Sequence, residues 1–161
     1  MINKLHLAMI ELYSGDAKRI QHFCKVHSYA KLIAETENVD EKCLFIIEAA
    51  ALTHDIGIHL CEEKYGNCNG KLQEKEGPAV AEPMLLALGY DEAVIDRVLF
   101  LIAHHHTYNE IEGLDYQILV EADFLVNLFE DGSSREAAQK VQKNIFKTNT
   151  GTKYLSDLFL N

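Results

Sequence analysis

Proline is scarce, with only Pro78 and Pro83 in 161 residues, and no stretch alternates apolar and polar residues long enough to read as a strand. Sheet-based architectures are thereby disfavoured. The four cysteines, Cys24, Cys43, Cys61 and Cys68, form no CxxC pair, and a chain of this length builds a core without disulfides. They are read as reduced thiols with no assigned chemistry. Positive charge is in deficit: fifteen Lys and Arg face twenty-five Asp and Glu, a net charge of −10. That balance argues against nonspecific binding to a nucleic-acid polymer or an anionic membrane. No basic segment leads into an apolar stretch at the N-terminus, and no uninterrupted apolar run reaches the roughly 18 residues of a membrane span. The expectation is a cytoplasmic protein without a membrane partner.

What is present is helical periodicity. With 48% hydrophobic residues and no repeat or linker, residues 1–161 are expected to form a single all-α domain, a compact helical bundle. The spacing predicts helices over about Asn3–Tyr13, Asp16–Glu37 and from Asp40 to the His54-Asp55 doublet, where Gly57 supplies an exit. Ile58–Glu76, with Gly66, Gly70 and two Asn, reads as a long loop, equally a surface excursion or a substrate lid. Helix resumes at Gly77–Leu88, again from Asp91 to His104, and through Ile118–Phe129. Ser133 and Glu136 resemble a capping box, and Tyr154, Leu155, Leu158 and Phe159 suggest a packed final helix.

Chemistry-bearing residues fall on different predicted helices: Arg19 and His22, the His54-Asp55 doublet, His104-His105-His106, and Asp123 within an apolar stripe. Helix bundles assemble metal sites from side chains placed in this way. Imidazole and carboxylate offer nitrogen and hard oxygen donors to a divalent ion. His105 is in phase with Val98 and Ile102 and should face inward.

In this order the residues resemble the HD-domain phosphohydrolase superfamily, whose pattern is a histidine, a His-Asp doublet and a later aspartate. The likeness spans roughly Arg19 to Glu130. It implies an HD-domain helical bundle with His22, His54, Asp55 and Asp123 as metal ligands. His105 further resembles the extra histidine of bimetallic members. Those members carry another histidine between the doublet and the later one. Here Glu76 is the nearest candidate, so a second ion is expected on His105 with Glu76 or His104, sharing Asp55. No Gly-Tyr-Pro motif follows the later histidines, and Ile58 stands where a lysine often follows the doublet, which disfavours cyclic dinucleotide hydrolysis.

The implied activity is metal-dependent hydrolysis of a small phosphorylated substrate, a nucleotide or another phosphoester, by metal-activated water. Asp55 and His105 are the expected catalytic residues, and two divalent ions are expected, with Fe, Mn, Mg, Zn and Ni undistinguished. Arg19 is expected to pair with a metal-binding carboxylate or orient phosphate, or equally to form a surface ion pair, and Thr107 or a neighbouring histidine to serve the leaving group. A di-iron oxygenase and a metal-binding module without turnover stand as alternatives. Self-association is left open.

Overall fold

The computed structural model describes residues 1–161 as nine helices with no strand. They are α1 (Ile2–Leu12), α2 (Ala17–Thr36), α3 (Glu41–Thr53), α4 (Ile58–Tyr65), α5 (Gly70–Ala87), α6 (Glu92–Ile102), α7 (Leu114–Glu130), α8 (Arg135–Ile145) and α9 (Asn149–Phe159). Local chemistry explains several starts. Asp16, Asp40 and Asn69 each accept a backbone N–H three residues on, the capping bond that opens α2, α3 and α5.

Helix α3 is the centre. It packs against α1, α2, α6 and α7, and every residue from Ile46 to Thr53 is buried. The alanines at 49, 50 and 51 let neighbouring helices approach closely. Glu41–Tyr65 is apolar and long enough to cross a membrane by composition, with mean hydropathy 1.4 over its most apolar window. Yet 67% of that window is buried against protein, as expected of a core segment. One contiguous apolar cluster of 34 buried residues runs from Leu5 in α1 to Leu155 in α9.

The expected loop over Ile58–Glu76 is instead two helices joined by a short turn. The residues that suggested a loop are helix ends: Gly66 adopts φ +70° and closes α4, while Asn69 caps α5. Helix α5 therefore begins at Gly70, and Gly77-Pro78 lies inside it rather than at its entrance. Two smaller boundaries also shift. Helix α6 ends at Ile102, leaving the three histidines on the turn beyond it. The cap of α8 is Ser134, which accepts from Ala137 N–H, so the capping residue is one later than Ser133. In α9, Leu155 is fully buried while Leu158 remains exposed beside an apolar cleft shared with Phe129.

Helix α5 crosses the turn after the doublet at very short range. A Cβ built on Gly57 would lie 2.8 Å from Gly77 N and 2.9 Å from Gly77 Cα, backbone atoms that cannot swing away. Gly57→Ala is therefore expected to destabilise the metal-free protein by about 1–3 kcal/mol, the range for forced overpacking. Denaturant unfolding measures this. An unchanged midpoint would show that α5 does not press on the doublet turn.

Candidate metal centre

The histidines and acids reach the centre of the bundle from four places. His22 comes from α2, His54 and Asp55 from the end of α3, His105 from the turn after α6, and Asp123 from the middle of α7. His54 and His105 are almost wholly enclosed, and Asp123 is 4% exposed. His22 Nε2 lies 3.2 Å from His54 Nε2 and 3.2 Å from Asp123 Oδ1. His54 Nε2 is 3.6 Å from the same oxygen.

Asp55 lies between two sets of donors. Its Oδ2 is 3.5 Å from both His22 Nε2 and His54 Nε2, while its Oδ1 is 3.5 Å from His105 Nε2. His106 joins on the second side, where Asp55, His105 and His106 each present a donor atom within 4.8 Å of the others. His22, His54 and Asp123 form the first group, their donor atoms 3.2–3.6 Å apart.

Surrounding bonds fix these positions. Tyr13 of α1 donates its hydroxyl to the carbonyls of Asp55 and Ile56 at 2.9 and 3.1 Å, holding the doublet turn. Asn127, one turn beyond Asp123, donates to Asp123 Oδ1 at 2.9 Å. The histidine turn is pinned twice. Tyr116 donates to the carbonyls of His104 and Thr107, and Glu74 accepts from His106 N–H at 3.0 Å and from Thr107 Oγ1 at 2.8 Å.

A divalent ion suits this donor set. With ligands about 2.0–2.2 Å from a central ion, neighbouring ligand atoms stand roughly 3.0–3.6 Å apart, as they do here. His105 Nε2 is buried with no hydrogen-bond partner, a cost that coordination removes. Oxygen and imidazole donors without thiolate suit a hard or borderline divalent ion better than a soft one.

Two expected ligands lie elsewhere. Glu76, well inside α5, points at α4, where Lys64 Nζ and Tyr65 Oη bind its carboxylate at 2.5 and 2.8 Å. Its expected direction assumed a helix starting at Gly77. His104 packs its ring on Phe100 with centroids 4.2 Å apart, and its Nδ1 bonds the Phe100 carbonyl. The chain leaves helical geometry at Ala103, so only the next two histidines turn inward.

His106, the other histidine flanking His105, is the one that presents a donor atom beside Asp55 and His105. The consecutive histidines were the only sequence signal for it. Glu74, whose three acceptor bonds depend on the α5 start, gave none. Arg19 meets no central carboxylate; it forks between Asp16 and Glu62 at 2.5 and 2.6 Å. His27 bonds Glu48, and His59 bonds Asp16.

Electrostatics follow from burying acids beside imidazoles. Burial alone would lower the His54 pKa, but Asp55 and Asp123 outweigh it and raise it to about 9. Asp55, despite burial, is held down at about 2 by His54 and His105, and Asp123 is pushed far below the carboxylate range by His22 and His54. Burial and then His105 lower His106 to about 4, which keeps the ring neutral, its Nε2 on Gln73 Oε1 and its Nδ1 3.2 Å from Tyr108 Oη.

A sequence model of the HD domain matches residues 19–146. The crystal structure of a predicted HD superfamily hydrolase from an uncultured Thermotogales bacterium superposes with a TM-score of 0.69 at 27% identity, covering 96% of this chain and 83% of that one. No curated protein gives a significant match.

A His54 pKa raised from 6.5 to about 9 makes metal uptake a proton-releasing event at neutral pH. The folded value exceeds the ordinary one. Its contribution to metal-free stability is therefore full below pH 6.5 and lost as pH rises through about 9. Metal affinity should climb over the same window, about tenfold per pH unit for each proton displaced. Calorimetry of Mn²⁺ binding at pH 7 in buffers of different ionisation enthalpy should show release of at least one proton. Heats independent of buffer would mean that His54 is already neutral.

Proposed function

The chain belongs to the HD-domain family, and we propose that it is a metal-dependent phosphohydrolase acting on a small phosphorylated substrate, a nucleotide or another phosphoester. The observation that carries this reading is Asp55, whose two oxygens face two separate groups of donors. In this proposal His22, His54 and Asp123 hold one ion, His105 and His106 hold a second, and Asp55 serves both. Bound divalent cations supply a water acidified towards neutral pH and neutralise phosphate oxygens in the transition state.

The protein's own part is to present, orient and limit the substrate. A polar cleft of about 200 Å³ opens onto His22 and Asp55 and is otherwise lined by Lys18, Arg19, Ile58, Asn127, Glu130 and Asp131. This volume favours a small ester over a polymer, as does the net charge of −10. Lys18 is exposed at the mouth and makes no ion pair, so its ammonium is free for a phosphate or leaving-group oxygen. Asp131, an acid at the rim of the cleft, opposes a second anionic group, which disfavours extended polyphosphates. Thr107 is committed to Glu74 and receives a bond from Lys71, which makes it a support for the histidine turn rather than a leaving-group donor.

Metal-reconstituted protein screened against phosphomonoesters, phosphodiesters and nucleoside polyphosphates, with metal content measured on the same sample, tests the proposal. Turnover should appear with metal and vanish with chelator. Asp55→Ala should reduce it below detection while far-UV circular dichroism stays that of the wild type. Wild-type-like turnover in metal-loaded Asp55→Ala would make the doublet structural. Oxygen consumption by the diferrous protein, without phosphoester turnover, would replace the proposal with an oxygenase.

Stoichiometry separates the two groups. Metal titration is expected to give two equivalents in wild type, one in His105→Ala and two in Glu76→Gln. Loss of an equivalent in Glu76→Gln would return that carboxylate to the site.

A further inference from the structure

Three imidazoles aim Nε2 at the centre, and the far nitrogen of each decides whether that aim is kept. His54 Nδ1 bonds the Ala51 carbonyl at 2.9 Å, and His105 Nδ1 bonds the Ile102 carbonyl at 2.8 Å. Both residues follow the ends of helices, where the last carbonyls have no intrahelical donor and are free to accept. His22 has no such option. It stands within α2, where the carbonyls of the preceding turn are engaged in the helix.

Its partner is supplied by another helix. Glu130, the last residue of α7, places Oε2 3.0 Å from His22 Nδ1, while Lys25 Nζ holds Oε1 at 2.6 Å. An ionised carboxylate only accepts, so the neutral His22 ring must carry its proton on Nδ1 and leave Nε2 bare. The carboxylate also makes the ring a stronger donor than a carbonyl would. Lys25, Lys18 and Arg19 are the nearby cations on α2 and the cleft, and Asp131 is the adjacent acid. Of these, only Lys25 is bonded to Glu130.

We infer that Glu130 is a positioning residue for the metal centre, orienting His22 and fixing its tautomer from α7, the helix that also delivers Asp123. The inference rests on His22 being a metal ligand. One helix then governs two corners of the first donor group, directly through Asp123 and at one remove through Glu130.

Mn²⁺ binding followed by electron paramagnetic resonance, which reads free Mn²⁺ directly, tests this without reference to turnover. Glu130→Gln keeps the shape of the side chain and should weaken the one Mn²⁺ equivalent that His22→Ala also weakens, by about 10-fold or more, the usual cost of losing such a partner. The thermal midpoint of the metal-free variant should stay within about 2 °C of wild type, because Glu130 lies at a partly exposed helix end. In a His22→Ala background the same substitution should have no further effect on affinity.

Unchanged affinity in Glu130→Gln, with loss in His22→Ala, would overturn the positioning role while leaving the metal centre intact. Unchanged affinity in His22→Ala would instead remove His22 from the centre and the premise with it. An equal loss from Glu130→Gln with and without His22 would show that Glu130 acts on the fold rather than through the ring.

Discussion

Two carboxylates, Asp55 and Asp123, sit among imidazoles at the junction of helices whose other facing residues are apolar. Buried charge on this scale costs several kcal/mol per ion unless it is compensated. In the metal-free protein both acids raise the His54 pKa to about 9, which favours a compensating proton on that ring at neutral pH. A cation occupying the same place is the alternative compensation. The packing around the centre then has one task, to keep six donor side chains within reach of one another against their own repulsion.

That task is divided between short-range and long-range restraints. The short-range ones are helix ends: His54 and His105 each find a carbonyl within their own chain segment, and the doublet turn is tied to α1 by Tyr13. The long-range ones cross the bundle. Tyr116 reaches from α7 to the histidine turn, and Glu74 reaches it from α5. Removing any of these leaves a buried polar group unpaired, so the surroundings of the centre tolerate less change than their distance from it suggests.

The fold was legible because most elements announce themselves locally. Asp16, Asp40 and the apolar stripe from Phe23 to Ala34 define α2 and its exit from sequence alone. The ordered pattern of His22, the doublet and Asp123 was equally plain, since each is a polar residue in apolar company. Glu76 and His104 were misdirected for a shared reason: their side-chain directions depend on where a helix starts or stops. Gly66 and Asn69 read as loop residues when taken together and as a C-cap and an N-cap when taken apart. Glu130 and Glu74 carried no signal at all, because a partner supplied from 108 or 32 residues away leaves no local periodicity.

The two prolines, both inside α5, have a consequence for the order in which the protein opens. Neither has an N–H, so the carbonyls of Glu74 and Ala79 lose their donors four residues on. A helix missing two rungs separates from its neighbours at lower cost than one with a complete ladder. Gln73 and Glu74, which meet the histidine turn, ride on that helix. In hydrogen-exchange terms α5 should open before α3, whose alanines are enclosed. Lifting of α5 would release the bonds that Gln73 and Glu74 make to the turn carrying His105 and His106, while His22, His54 and Asp123, on α2, α3 and α7, would keep theirs.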